Sequence, residues 1–190
     1  MSVIVIGGGA GGMEATCRLV RALPREIEAW VAIALSAGDQ ELRHVARHTS
    51  LPVLCAEPGQ TPAAGHIYLA PVDRHLVMRP PGLLDINDGP KVRDVRPSAN
   101  LLFESAAAVF GRRVIGVVLS GGDGDGTHGL AAIKAQGGVS IVQSPADARE
   151  PGMPVNALIH GNPDHTVLLD ELGELIVRLV RERRQLLSST

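Results

Sequence analysis

Aromatic side chains are almost missing from this chain: Trp30, Tyr68, Phe103 and Phe110 are the only four in 190 residues. A core built without them has to be packed from Ala, Val, Ile and Leu, which suits a parallel sheet covered on both faces. Cysteine is scarce as well. Cys17 and Cys55 show no metal-binding or redox spacing and cannot make a disulfide framework, so both are expected as buried thiols. Neither sign of charge is in excess: 18 Lys and Arg stand against 20 Asp and Glu, a formal net charge of −2. That leaves no electrostatic footprint for nucleic acid. The basic group Arg178, Arg181, Arg183 and Arg184 falls at the end of a terminal helix, where cations complement the dipole; the alternative is a surface for an acidic partner. Long apolar runs are absent too. No stretch approaches the roughly 20 residues of a membrane span. The N-terminal run lacks the basic flank of a signal peptide. Membrane insertion is therefore not expected, and a cytoplasmic protein is.

Glycine is abundant, with 22 residues, as a fold with many tight strand–helix turns requires. Apolar runs at 2–6, 29–35, 51–55, 114–119 and 139–142 alternate with helical patterns at 11–23, 39–48, 98–110, 127–136, 152–160 and 168–187. Such alternation predicts a mostly parallel, doubly wound α/β sheet with helices on both faces. Residues 56–92 break the pattern. They are rich in Pro and Gly and hold two short runs, Gly65 to Leu69 and His75 to Met78, which read as an antiparallel hairpin insertion. Ser98 is the expected N-cap of the helix that follows. One domain over residues 1–190 accounts for the length.

The first turn, Gly7-Gly8-Gly9-Ala10-Gly11-Gly12, follows a strand and opens a helix. Gly7, Gly9 and Gly12 fit the G-x-G-x-x-G dinucleotide fingerprint. That fingerprint also needs an acidic residue at the end of the second strand to hold the ribose. The second strand ends in Ala34-Leu35-Ser36-Ala37-Gly38 and supplies none; Glu28 precedes it and Asp39 comes late. The same strand–turn–helix shape presents the nucleophile in many hydrolases, yet this loop contains no Ser, Cys, Thr or His.

A second glycine loop, Ser120-Gly121-Gly122-Asp123-Gly124-Asp125-Gly126, also lies between a buried strand and a helix. Its carboxylates fit helix capping as well as function, and they lack the further oxygen ligands of a calcium loop. His44 and His48 stand at i, i+4 spacing, but Arg43 and Arg47 flank them and no HExxH glutamate is present. An exposed charged face is expected there and no metal site. His128, three residues past Asp125, is expected on a helix surface, and His66 and His75 as structural residues.

Five ordered segments resemble the catalytic domain of CheB-type chemoreceptor methylesterases. The first glycine loop with Met13-Glu14-Ala15 is similar to the family's Gly-Ala-Ser-Thr-Gly-Gly loop and its following Thr-Glu-Ala. Gly65 to Leu76, GHIYLAPVDRHL, resembles "GHVYVAPGDRHL". Arg96-Pro97-Ser98 resembles the start of the "RPSVD" helix, Leu119 to Leu130 resembles "LTGMGxDGAAGL", and Ile141 to Ala157, with Gln143 and Gly152-Met153-Pro154, resembles the "AQD…GMP.AA" segment. The resemblance implies the family's α/β fold with a hairpin insertion. It also implies an ancestral reaction, hydrolysis of glutamyl methyl esters on receptor helices by a Ser-His-Asp triad, with no cofactor.

Residue by residue the resemblance carries over incompletely. Gly9 stands where the family has its nucleophile and Ser36 where it has its general base, while Asp125 keeps the place of the acid. Gly122 replaces the Met whose amide helps to bind the oxyanion, with Gly8 and Met153 as further binding positions. A counterpart of the family's N-terminal receiver domain is not expected. The expectation is a divergent methylesterase domain, inactive or weakened, acting on a chemoreceptor cytoplasmic helix or another signalling protein. Two alternatives remain: an ester or amide hydrolase with Ser36 as a relocated nucleophile, and a nucleotide- or phosphate-binding module using both glycine loops.

Overall fold

The computed structural model describes residues 1–188. β1 (Ser2–Gly7) is buried along its whole length, as its unbroken Val/Ile run requires of a strand covered on both faces. α1 (Gly12–Arg21), β2 (Ala29–Ala37), α2 (Asp39–Ala46), β3 (Val53–Cys55) and β4 (Ile67–Pro71) follow. Next come β5 (His75–Arg79), β6 (Leu83–Asn87), α3 (Ala99–Phe110), β7 (Val114–Val118) and α4 (Thr127–Ala135). β8 (Val139–Gln143), α5 (Gly152–Gly161), β9 (His165–Val167) and α6 (Leu169–Ser188) complete the order.

Seven strands form one sheet in the order β3-β4-β2-β1-β7-β8-β9, and every neighbouring pair is parallel. β5 and β6 pair antiparallel as a separate hairpin. The expected α/β architecture is present, with one reassignment. The Gly65–Leu69 run is not hairpin material: it leads into β4, which pairs parallel with β2 on one side and β3 on the other. Ile67 to Ala70 are all buried, and a strand sandwiched on both faces cannot supply one arm of a half-solvated hairpin. The second arm is β6, joined to β5 through Pro80, Pro81 and Gly82. The edge strand β9 also escapes the sequence reading, since His165-Thr166-Val167 carries too few apolar residues to signal a strand. Cys55, expected to be buried, is only half buried in β3.

Alternation along the central strands divides the core in two. Ile4, Ile6, Val31 and Ile33 face α1, α2 and α6 through Leu19, Val45 and Ile176. Val3, Val5, Trp30 and Ala32 face α3, α4, α5 and the hairpin through Phe103, Leu130, Ala157, Leu76 and Leu84. The few aromatics gather on this second side, Trp30 standing edge-on to Tyr68 at 6.2 Å and to Phe110 at 5.6 Å between ring centroids. Among the described residues no helix is long and apolar enough to cross a membrane.

Candidate functional site

β1 and β7 lie side by side while their successors diverge, β2 beside β1 and β8 beside β7. The crevice outside the carboxyl ends of two such strands is where open α/β sheets build their sites. Both glycine loops lie there. The Leu119 amide donates to the Gly7 carbonyl and the Gly9 amide to the Ser120 carbonyl, each at 2.9 Å, so the β1–β7 ladder continues into the turns. Approach is close enough to demand glycine. Gly11 sits at φ +78°, and a Cβ on it would come within 2.7 Å of Ser120 Oγ and 2.9 Å of Arg149 Cβ.

At Gly9 a Cβ would face Gly121 Cα at 3.2 Å, Met153 Sδ at 3.6 Å and the Gly122 nitrogen at 3.8 Å. A side chain at position 9 would therefore project toward the Gly122 amide. Gly122 is exposed, with open space where its own Cβ would be. Met153, 1% exposed, is held beneath by its amide donating to the Gly121 carbonyl at 2.7 Å. Gly9, Gly122 and Met153 thus converge. Ser120 staples the loops together: its hydroxyl donates to the Ala10 carbonyl at 2.8 Å and accepts from the Glu150 amide at 2.9 Å. Its own amide donates to Gln143 Oε1 at 2.9 Å. Nothing in the sequence flags Ser120 as a staple, because its partners lie far away in the chain.

Asp125 is 4% exposed and points at the start of α3. It accepts from the Ser98 hydroxyl at 2.9 Å, the Ala99 amide at 2.5 Å and the Asn100 amide at 3.0 Å. Ser98 was expected to cap α3 with its own side chain. The structure reverses this: Ser98 makes no side-chain cap bond to its helix, and the carboxylate from the second glycine loop does the capping. Asp123 Oδ1 accepts from the Asp125 amide at 2.7 Å, fixing the carboxylate's approach. Fully buried His75 completes the network, with Nδ1 accepting from the Ser98 amide and Nε2 donating to the Pro90 carbonyl, each at 3.1 Å. A serine, a histidine and an aspartate therefore meet, but the hydroxyl donates to the carboxylate and both ring nitrogens bond to backbone. His75 is thus not free to accept a proton from that serine.

Ser36 stands exposed at the end of β2, beyond a register shift between Ile33 and Ser36. Its hydroxyl accepts from the Asp73 amide at 3.4 Å, and among the described residues no imidazole hydrogen-bonds to it. Asp73 adopts φ +53° and is gripped by Arg96 through Nε at 3.1 Å and Nη2 at 2.7 Å. That hydrogen-bonded guanidinium lowers the Asp73 pKa, and Asp73 in turn raises that of Arg96. Ser36 thus bonds to the β4–β5 turn and Asp125 to the start of α3, with no hydrogen bond between them. His128 is exposed on α4. A 210 Å³ groove beside the first loop is lined by Glu14, Arg18, Ser120, Asp147 and Arg149 among others. Among the described residues, the one set of three His, Cys, Asp or Glu ligand atoms close enough to share a metal lies elsewhere, between α1 and α2.

The sequence model described as CheB methylesterase matches residues 4–176. The chain is 35% identical over 182 residues to the protein-glutamate methylesterase FrzG of Myxococcus xanthus, covering 94% of this chain and 54% of that one. A relative from Leptospira interrogans is 32% identical over 180 residues and is covered over 93% of its length. The chain thus spans about half of FrzG and nearly all of the Leptospira protein. The crystal structure of the Thermotoga maritima CheB methylesterase catalytic domain superposes with a TM-score of 0.87 at 25% identity, over 94% of this chain and 98% of that one.

Proposed function

Because this chain belongs to the CheB methylesterase family, we propose that it is a member whose ester hydrolysis is silent or much weakened and which acts by binding. Its partner is a chemoreceptor cytoplasmic helix or another signalling protein. The observation that carries this reading is Gly9. A side chain there would look across at the Gly122 amide, the geometry in which a nucleophile faces an oxyanion donor, and glycine offers no atom to attack with. Ser36 adds no base in its place, since its hydroxyl is engaged with the Asp73 amide. With nucleophile and base gone, a residual acceleration of about 10³ to 10⁴ from binding and the oxyanion donor is the ceiling.

The other two readings have less support. Among the described residues no side chain accepts a proton from Ser36, so it remains an ordinary alcohol of low reactivity. Carboxylates beside a glycine loop repel a phosphate group, and the groove next to the first loop places Glu14 and Asp147 among Arg18 and Arg149.

The test is methanol release from a methyl-esterified chemoreceptor cytoplasmic fragment, with binding to the same fragment followed by fluorescence anisotropy. Binding without turnover is expected, with turnover appearing in the Gly9→Ser/Ser36→His double variant. Robust hydrolysis by the unaltered chain would overturn the proposal.

A further inference from the structure

The turn that ends α2 packs beside α1, and three soft donors meet there. Cys17, on the inner face of α1, is 3% exposed. His44 lies in the last turn of α2 and His48 just beyond its end. One ligand atom from each of the three lies within 4.8 Å of the others. In the sequence the two histidines stand only as a pair on a charged face; α1 supplies the third member from 27 residues upstream of His44.

We propose that Cys17, His44 and His48 form a site for a thiophilic divalent cation, zinc by preference, with water from the neighbouring groove as the fourth ligand. One thiolate and two imidazoles are a donor set that suits zinc, and three protein ligands with one open position make a tetrahedral site. The second shell is already in place. His48 Nδ1 lies 2.9 Å from the His44 carbonyl oxygen, so Nδ1 carries the proton and Nε2 the lone pair, the arrangement that orients metal-bound histidines. The carbonyls at the end of α2 add the negative end of the helix dipole. The rings stand edge to face with centroids 5.0 Å apart. Tetrahedral zinc draws its ligands to roughly 3.5 Å separation, a closure that rotation of exposed His44 and half-buried His48 supplies. Water reaches the spot through a 340 Å³ groove lined by Met13, Gln40, Glu41, Arg43, His44 and Arg47. Burial, assisted by Glu14, pushes the Cys17 thiol up, so the metal-free thiol is protonated and cation binding releases its proton.

The site is on the opposite side of the sheet from the Asp125–Ser98–His75 network. The cation would pin α1 to α2, the two helices that follow positions 9 and 36. This inference is independent of whether the chain hydrolyses esters.

Co²⁺ serves as a spectroscopic stand-in for Zn²⁺. The full chain, stripped with chelator, is titrated with Co²⁺ and then with Zn²⁺ against a chromophoric chelator. One equivalent of Co²⁺ with a thiolate-to-metal charge-transfer band and tetrahedral visible bands is expected, displaced by Zn²⁺. Cys17→Ala abolishes the charge-transfer band, and His44→Ala and His48→Ala each weaken Zn²⁺ binding at least tenfold. Cys55→Ser leaves all of it unchanged. His44 is exposed, so its variant folds whatever Cys17→Ala does. Binding well below one equivalent, a Co²⁺ spectrum without thiolate, or unaltered affinity in His44→Ala would overturn the proposal.

Discussion

At the scale of single residues, Gly9 and Asp125 are the two positions on which the proposed function turns. Gly9 was legible in the sequence because flanking glycines and the following helix fix its place in the turn. That a carboxylate of the second glycine loop caps a helix was legible too, but which helix was not, because the partners of Asp125, Ser98, Ala99 and Asn100, lie 25 to 27 positions away and only the folded chain brings them together. Ser98 looked like the cap because capping is normally a local affair. Asp125→Ala leaves a buried hydroxyl and two amides without their acceptor. Each costs on the order of 1 to 3 kcal/mol when unsatisfied, with water recovering part, so about 3 kcal/mol of destabilisation is expected in urea unfolding. Ser98→Ala removes one donor and keeps both amide bonds, and should cost about 1 kcal/mol.

At the scale of elements, the hairpin is where sequence periodicity misled. Ile67-Tyr68-Leu69-Ala70 and His75-Leu76-Val77-Met78 are both short apolar runs, and length alone does not separate a buried parallel strand from a hairpin arm. Their neighbours decide: β4 lies between β3 and β2, while β5 pairs with β6 and sends Leu76 and Met78 toward α3. The hairpin is thus part of the second core. Leu84, fully buried on β6, belongs to that core too. Leu84→Ala is expected to lower stability by about 2 to 5 kcal/mol in urea titration, a loss that a merely decorative insertion would not show. The Met78 amide also donates to Ser105 Oγ at 3.0 Å, tying the hairpin to the middle of α3.

At the scale of the molecule, the alternation of strands and helices was readable because continuous apolar runs and glycine turns are local signals of a parallel sheet, whereas the strand order came only with the folded chain. The far edge was not, since β9 is polar and held in part by Asp164. That carboxylate accepts from the Ser140 amide at 2.9 Å and hydroxyl at 2.8 Å, and pairs with Lys134 at 3.1 Å. Burial pushes its pKa up, but the two Ser140 hydrogen bonds and Lys134 together outweigh burial and lower it. A carboxyl with a depressed folded pKa stabilises the native state above its unfolded pKa, and the contribution disappears as pH falls through the folded value. Asp164→Asn should therefore be less stable than the parent near neutral pH. The gap should close below the carboxylate range in urea titrations run down the pH scale, because there both chains carry a neutral side chain. The α3 cap has a consequence for how such a protein changes over time. A carboxylate that anchors a helix is retained by selection for folding alone, whatever becomes of the chemistry beside it. The presence of an aspartate here is therefore no measure of catalysis, since the cap alone gives the fold a reason to keep it.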